Sequence, residues 1–373
     1  MPDIPILLDG STGEGGGQIL RTALSLSAIT GKAFAVHRLR ASRIKPGLRP
    51  QHREATRALA QLCDAEISGD EVGSPRVEFR PRRPAAAGQY TFDIGTAGST
   101  PLLFQTLCWP LALTGKSSEL TLRGGTHQQY SPTFHDLALV WLPAVARLGF
   151  RFELELQAAG FYPEGGGEFT ARVHSAHAMP PLDLRHRGML QSAEIVAMVA
   201  GLPFDIADRL AARAERRLRE LGVSAEATRV PVPSRASRGC HLLVAASFDR
   251  TRAGSGAIGE KGKPAEKVAD DVVDSFQKFL TGRAAVDPHL GDQLVVPAAL
   301  HAAGLVPSPP GMVPATRYTV SEVTKHLTTN VEVVKRFLDV EIVVEGREGD
   351  EGEVRIAPPG RSGEVIPLQR VET

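Results

Sequence analysis

The chain has 373 residues, more than one ordinary core fills, which implies two domains or a body built from repeats. Hydrophobic residues at 42% and charged residues at 23% give the balance of a globular protein. With 43 Lys and Arg against 42 Asp and Glu, a polycation that holds nucleic acid by overall charge is excluded, and aromatics at 5% exclude a surface dominated by ring stacking.

Met1 to Asp9 has no basic run ahead of a long apolar one, so no signal peptide is expected, and Ile4 to Leu8 reads as a short buried strand. Gln18 to Thr30 predicts a helix with an apolar stripe of Ile19, Leu20, Ala23, Leu24 and Leu26. Phe34 to Leu39 reads as a strand and Gln51 to Cys63 as a helix. Thr100 to Thr114 and Pro132 to Leu148 predict two more helices, each after a Gly-rich turn, with strands at Leu120 to Leu122 and Phe152 to Leu156. Gly13-Glu14-Gly15-Gly16-Gly17-Gln18 is echoed by Pro163-Glu164-Gly165-Gly166-Gly167-Glu168, and the two copies point to a duplicated α/β unit or to Gly-rich turns that recur by chance. From about 185 to 280 the texture changes, which predicts an inserted second domain. It holds an Arg- and Glu-rich helix at Phe204 to Leu221, an apolar strand at His241 to Phe248, a Gly- and Lys-rich loop at Gly254 to Lys263, and a helix at Pro264 to Leu280. The earlier style returns with a helix at Asp292 to Ala303, a strand at Arg317 to Val320, and a helix at Ser321 to Leu338 with Ser321 as N-cap. Strands are expected near 340–344 and 353–357, then a loose tail. The expected division is 1–184 and 281–360 in a large domain, 185–280 in a small one, and 361–373 as tail. No apolar stretch reaches the ~18 residues of a spanning helix. Cys63, Cys108 and Cys240 are isolated and odd in number, so reduced thiols in a cytoplasm are expected.

Four stretches can carry chemistry. In Asp9 to Arg21 the glycines let backbone N–H groups approach an anion at a helix N-terminus, with Gln18 and Arg21 on one side and Glu14 suited to a metal ion; the same glycines could simply cap a core helix. In Arg38 to Arg53, Arg38, Arg40, Arg43, Lys45, Arg49 and Arg53 crowd together with His52. Prolines and Gly47 break any regular solvated helix there, which favours phosphate binding. Gly95-Thr96-Ala97-Gly98-Ser99 offers either a phosphate cradle or close packing of two backbones. His326 is either a structural helical His or a nucleophile, since imidazole is largely neutral near pH 7, and Asp292-Gln293 could orient it or a metal.

Together these stretches resemble the RNA 3'-terminal phosphate cyclase family. The resemblance rests on Asp9-Gly10-Ser11 with Gly13 to Gln18 and Arg21; Arg40 with Pro46-Gly47-Leu48 and Gln51-His52; Gly95 to Ser99; Gly124-Gly125-Thr126; Phe161-Tyr162-Pro163 with Gly165 to Gly167; Asp292-Gln293; and His326-Leu327 with Thr329-Asn330. These motifs run in the family's order over nearly the whole chain. The resemblance implies an α/β fold of the α+β type: a large domain of repeated units, each two helices on a four-stranded sheet and related to the enolpyruvyl transferases, with a smaller α/β domain inserted.

It also implies an ATP-dependent reaction in three steps. His326 takes AMP from ATP, AMP passes to an RNA 3'-phosphate, and the neighbouring 2'-OH closes a 2',3'-cyclic phosphate. By position, Glu14 is the expected holder of a divalent metal, Mg2+ or Mn2+. Gln18, Arg21, Arg40, Gln105, Asp292 and Gln293 are expected around ATP, with Pro132 and His289 as walls of the adenine slot, and Arg43, Gln51 and His52 around the RNA end. The chain departs from the family at His289, where Tyr is common, and at Gln128-Gln129, which replace the commoner Asn-Pro. Expected partners are RNA with a 3'-phosphate and ATP, no membrane, with an oligomer left open. The competing readings are a non-catalytic cyclase-like ribosome-biogenesis factor, which would lack the nucleophilic His, and an enolpyruvyl transferase, which needs no such His.

Overall fold

In the computed structural model, which describes residues 4–361, one βαβαββ pattern occurs three times. The first unit is β1 (Ile6–Asp9), α1 (Gln18–Thr30), β2 (Phe34–His37), α2 (Pro50–Cys63), β3 (Glu66–Ser68) and β4 (Val77–Arg80), with sheet order β1-β2-β4-β3. The second is β5 (Gln89–Asp93), α3 (Thr100–Ala112), β6 (Ser118–Gly124), α4 (Phe134–Asp136) and α5 (Leu142–Ala146), β7 (Phe152–Ala158) and β8 (Gly167–Val173), with order β5-β6-β8-β7. In each, the first two strands pair in parallel and the other neighbours antiparallel.

The third unit begins with β9 (Leu182–Leu184) and is interrupted. A separate unit follows: β10 (Leu190–Ala200), α6 (Asp205–Glu220), β11 (Ala225–Pro231), β12 (Gly239–Phe248), β13 (Arg252–Ile258) and α7 (Ala265–Thr281), with sheet order β11-β10-β12-β13. The third unit then resumes with α8 (Pro288–Gln293), α9 (Val295–Ala302), β14 (Thr316–Val320), α10 (Lys325–Phe337), β15 (Glu341–Glu345) and β16 (Gly352–Ala357). Its order, β9-β14-β16-β15, repeats the pattern. The three units share one apolar core through α1, α3 and α10, while the intervening sheet buries its own, including Ile195, Leu210, Val244 and Phe276. Across α6 and α7, Arg209 pairs with Glu266, Arg213 with Asp270 and Arg217 with Asp274.

Several expectations need correction. The repeat is the βαβαββ unit, not the glycine echo: Gly13–Gly17 link a strand to a helix, whereas Gly165 and Gly166 lie between the antiparallel strands β7 and β8 and Gly167 begins β8. The first half of the expected loop at Gly254 to Lys263 belongs to strand β13, which runs to Ile258. Its glycines mark close approach, since a Cβ on Gly254 would lie 2.6 Å from Val140 Cγ2 and one on Gly256 would lie 3.0 Å from His241 Nε2. The helix expected from Pro132 passes through a π-helical turn at Leu137–Trp141. Pro143 has no N–H for an α-helical bond, and Leu142 N–H instead reaches the Leu137 carbonyl. Helix α10 is capped by Thr324, whose side chain accepts from Leu327 N–H at 3.0 Å, not by Ser321. The helix expected from Asp292 begins at Pro288, where Asp287 accepts from the N–H groups of His289 and Leu290. The expected tail lies outside the described residues except for Arg361. All three cysteines are free and buried, and among the described residues no helix is long and apolar enough to cross a membrane.

Candidate active site

A cleft of about 1780 Å³ opens where the three units and the intervening unit meet. The N-terminal turns of α1, α2, α3, α8 and α10 all contribute to its wall, and those of α1 and α2 have no side-chain cap. Backbone N–H groups left without partners at a helix start, with the helix dipole behind them, make an anion-seeking surface.

His326 is the second residue of α10, and its side chain is 44% exposed to this cleft. Its Nδ1 lies 2.6 Å from Gln18 Oε1 at the start of α1. A carbonyl oxygen accepts, so Nδ1 carries the proton and Nε2 keeps its lone pair. Nε2 lies 3.8 Å from Glu14 Oε1 in the glycine loop before α1. Burial, and then the charges of Arg21, His289 and Arg43, hold the His326 pKa below its ordinary value, so the imidazole is neutral at pH 7. Glu14 is half-buried, pairs with Arg43, and takes its backbone position from Thr329, whose Oγ1 accepts from Glu14 N–H at 3.4 Å.

The floor is cationic. Arg21 on α1, Arg40 in the loop after β2, and His52 on α2 lie side by side, with Arg49 next to them. Burial brings the Arg21 pKa down to about 10, and the His52 pKa falls well below its usual value through burial and then the charges of Arg21, Arg40 and Arg49. Arg40 is lowered by burial and then by Arg49, and its Nε is buried without a partner among the described residues. Cations that depress one another call for an anion, and phosphate oxygens fit. Gln51 Oε1 accepts from Ser99 N–H at 3.1 Å, which ties α2 to the turn at Gly95 to Ser99.

On the third unit's side, Gln105 of α3 donates to Gln293 Oε1 at 3.0 Å. Burial, reinforced by Asp287 and opposed by Arg21, pushes the Asp292 carboxyl up to about 8. Pro132 and His289 line the same cleft. All residues expected at the site therefore face one cavity, although they come from all three repeats.

Two residues of the site's frame escaped the sequence reading of roles. Asn330 of α10 accepts from Thr22 Oγ1 at 2.8 Å and donates to the Asp292 carbonyl at 2.9 Å, which joins α10, α1 and α8. Arg49 is one charge in a run by sequence and the N-cap of α2 in the structure; its place just before Pro50 is the signal for that position.

The family model described as RNA 3'-terminal phosphate cyclase matches residues 12–344. A protein of that name from Methylococcus capsulatus is 44% identical over 356 residues, 94% of this chain and 95% of its own length. Those of Gloeothece citriformis (40%; 88% of this chain, 93% of its own) and Thermococcus gammatolerans (41%; 94% and 97%) are similar. Coverage this complete makes the likeness one of whole chains rather than of a shared module. Among solved structures, the enolpyruvyl transferase NikO from Streptomyces tendae matches 46% of this chain and 33% of its own at 14% identity and a TM-score of 0.25, which carries no argument.

Proposed function

The chain belongs to the RNA 3'-terminal phosphate cyclase family, and from that membership we propose that it closes RNA 3'-phosphate ends into 2',3'-cyclic phosphates through AMP carried on His326. The supporting observation is the Gln18–His326 contact, which leaves the Nε2 lone pair of a neutral imidazole facing a cationic cleft. Nε2 attacks the α-phosphorus of ATP; a P–N bond forms, and the P–O bond to pyrophosphate breaks. An oxygen of the RNA 3'-phosphate then attacks the same phosphorus, so AMP leaves the histidine and forms an anhydride with the RNA end. The neighbouring 2'-oxygen attacks the activated 3'-phosphorus, the ring closes, AMP leaves, and the 2'-OH proton is released. Ring closure gains from tethering of the nucleophile, and the need for a 2'-OH makes the substrate RNA.

In this reading Arg21 and Arg40 hold the ATP phosphates, Gln105, Asp292 and Gln293 shape the nucleotide side, and Pro132 and His289 flank the base. Arg43, Gln51 and His52 meet the RNA end. Glu14 offers Mg2+ or Mn2+ the oxygen ligand they take, a half-buried carboxylate 3.8 Å from the nucleophile, and the ion would take the place that Arg43 holds beside it. Such an ion would screen the phosphate charge that the nucleophile must approach. The setting is the cytoplasm, where ATP and RNA meet and the three cysteines stay reduced.

The test is incubation with α-labelled ATP. The wild-type chain acquires acid-labile, alkali-stable label, and His326→Ala acquires none while keeping its cooperative melt. Equal labelling of the variant would refute the assignment.

A further inference from the structure

Three histidines meet beside the cleft, at the seam between the second repeat and the intervening sheet. His127 follows β6, His135 lies in α4 and His241 lies in β12, and one ring nitrogen from each falls within 4.8 Å of the other two. His127 and His241 are buried and His135 is half-buried. We propose that this trio binds a transition-metal ion of the Zn2+ class, which pins the intervening unit to the body.

The donor set points to that class. Imidazole nitrogens suit Zn2+, Co2+ or Ni2+, whereas Mg2+ and Ca2+ take oxygen. His127 has the outer support of a metal-binding histidine: its Nδ1 lies 2.8 Å from Thr126 Oγ1, which also accepts from Gly160 N–H at 2.9 Å. With Nδ1–H given to Thr126, the lone pair of Nε2 points at His135 Nδ1, 2.9 Å away. Phe161 stacks on the His127 ring at 5.3 Å and fixes its plane.

Hydrogen bonding among the three rings does not satisfy them. Among the described residues, His241 Nδ1 is buried with no partner, and Nε2 meets Thr133 Oγ1 at 3.4 Å. Asp136 spends Oδ2 on Thr133, accepting from its N–H at 2.8 Å and its Oγ1 at 2.9 Å. Its Oδ1 remains, next to the space over Gly256, where a Cβ would lie 3.0 Å from His241 Nε2 and 3.3 Å from Asp136 Oδ1. That bare glycine leaves room for the ion's water, with Asp136 to orient it. The sequence shows none of this as a motif, because His241 sits on another unit.

The full chain, stripped with chelator, is titrated with Co2+ and then with Zn2+ in competition. The expected result is one ion per chain, with the visible band of low-coordinate Co2+, displaced by Zn2+, and a melting temperature raised by Zn2+. His135→Gln and His241→Gln should each weaken binding by more than the roughly 10- to 100-fold that outer-shell changes cost. X-ray absorption of the Zn2+-loaded wild type should show three imidazole ligands, a readout that does not depend on the variants' folding. Absence of the Co2+ band, variants that bind like the wild type, or a shell without imidazole each overturn the site. The labelling of His326 is a separate measurement, so either reading can fail alone.

Discussion

Arg40 adopts a φ of 54°, a left-handed conformation that a long side chain takes only when its surroundings impose it. The loop places a partly desolvated guanidinium beside Arg49, with a buried Nε that has no partner among the described residues. On the proposed mechanism an oxygen of the ATP phosphates completes this site. Arg40→Ala should therefore slow formation of the His326–AMP adduct by about 10- to 100-fold, the worth of one charge-assisted hydrogen bond. Transfer from preformed adduct should change less. Measuring the two steps separately checks this, and wild-type rates for both at low salt would make the segment a solvated face.

On the proposed mechanism, helix α1 carries function at one end and only stability at the other. At its N-terminus, a Cβ on Gly17 would run into His52 Nε2 and lie 2.9 Å from an Arg21 nitrogen. Gly17→Ala should cost about 1–3 kcal/mol by overpacking and also suppress adduct formation, because the displaced side chains form the cationic floor. At its C-terminus Gly31 has a φ of 74° and open space around it. Gly31→Ala should cost about 1 kcal/mol through backbone strain alone and leave adduct formation intact. Denaturant melts with labelling of both variants check the pair; equal loss of labelling would mean that α1 responds as a whole. This helix was legible in the sequence because an unbroken apolar stripe and flanking glycines are local signals. Strand β13 was not, because its glycines reflect the closeness of Val140 and His241, which belong to other elements.

At the scale of the molecule, burial of His52 links stability to pH. Its folded pKa lies well below the unfolded value near 6.5, so between the two the unfolded chain binds the extra proton. The stabilisation is complete above 6.5 and is lost as pH falls below it. The wild type should lose stability relative to His52→Gln by about 1.4 kcal/mol per pH unit below 6.5, read from urea unfolding at pH 7.5 and 5.5. A constant difference across that range would show that His52 titrates normally. The threefold repeat also exists only at this scale. Its strands are short, such as Glu66–Ser68 and Leu182–Leu184, and carry too few residues to show alternation. The third copy is further split by the unit from β10 to α7.

The sequence by itself determined which chemistry was available: glycine-rich turns before helices, a crowded run of arginines, and a histidine early in a helix. Those properties are local, fixed by the backbone freedom of glycine, by charge and by helix geometry over a few residues. Tertiary structure decided what each group does. Gln18 selects which nitrogen of His326 keeps its lone pair, Arg43 pairs with Glu14, and Asn330 binds three helices together. It also brought His127, His135 and His241 into one cluster. Each of these depends on which helix ends and strands meet when three repeats and an intervening sheet share a cleft, and the burial of apolar faces far from those residues settles that.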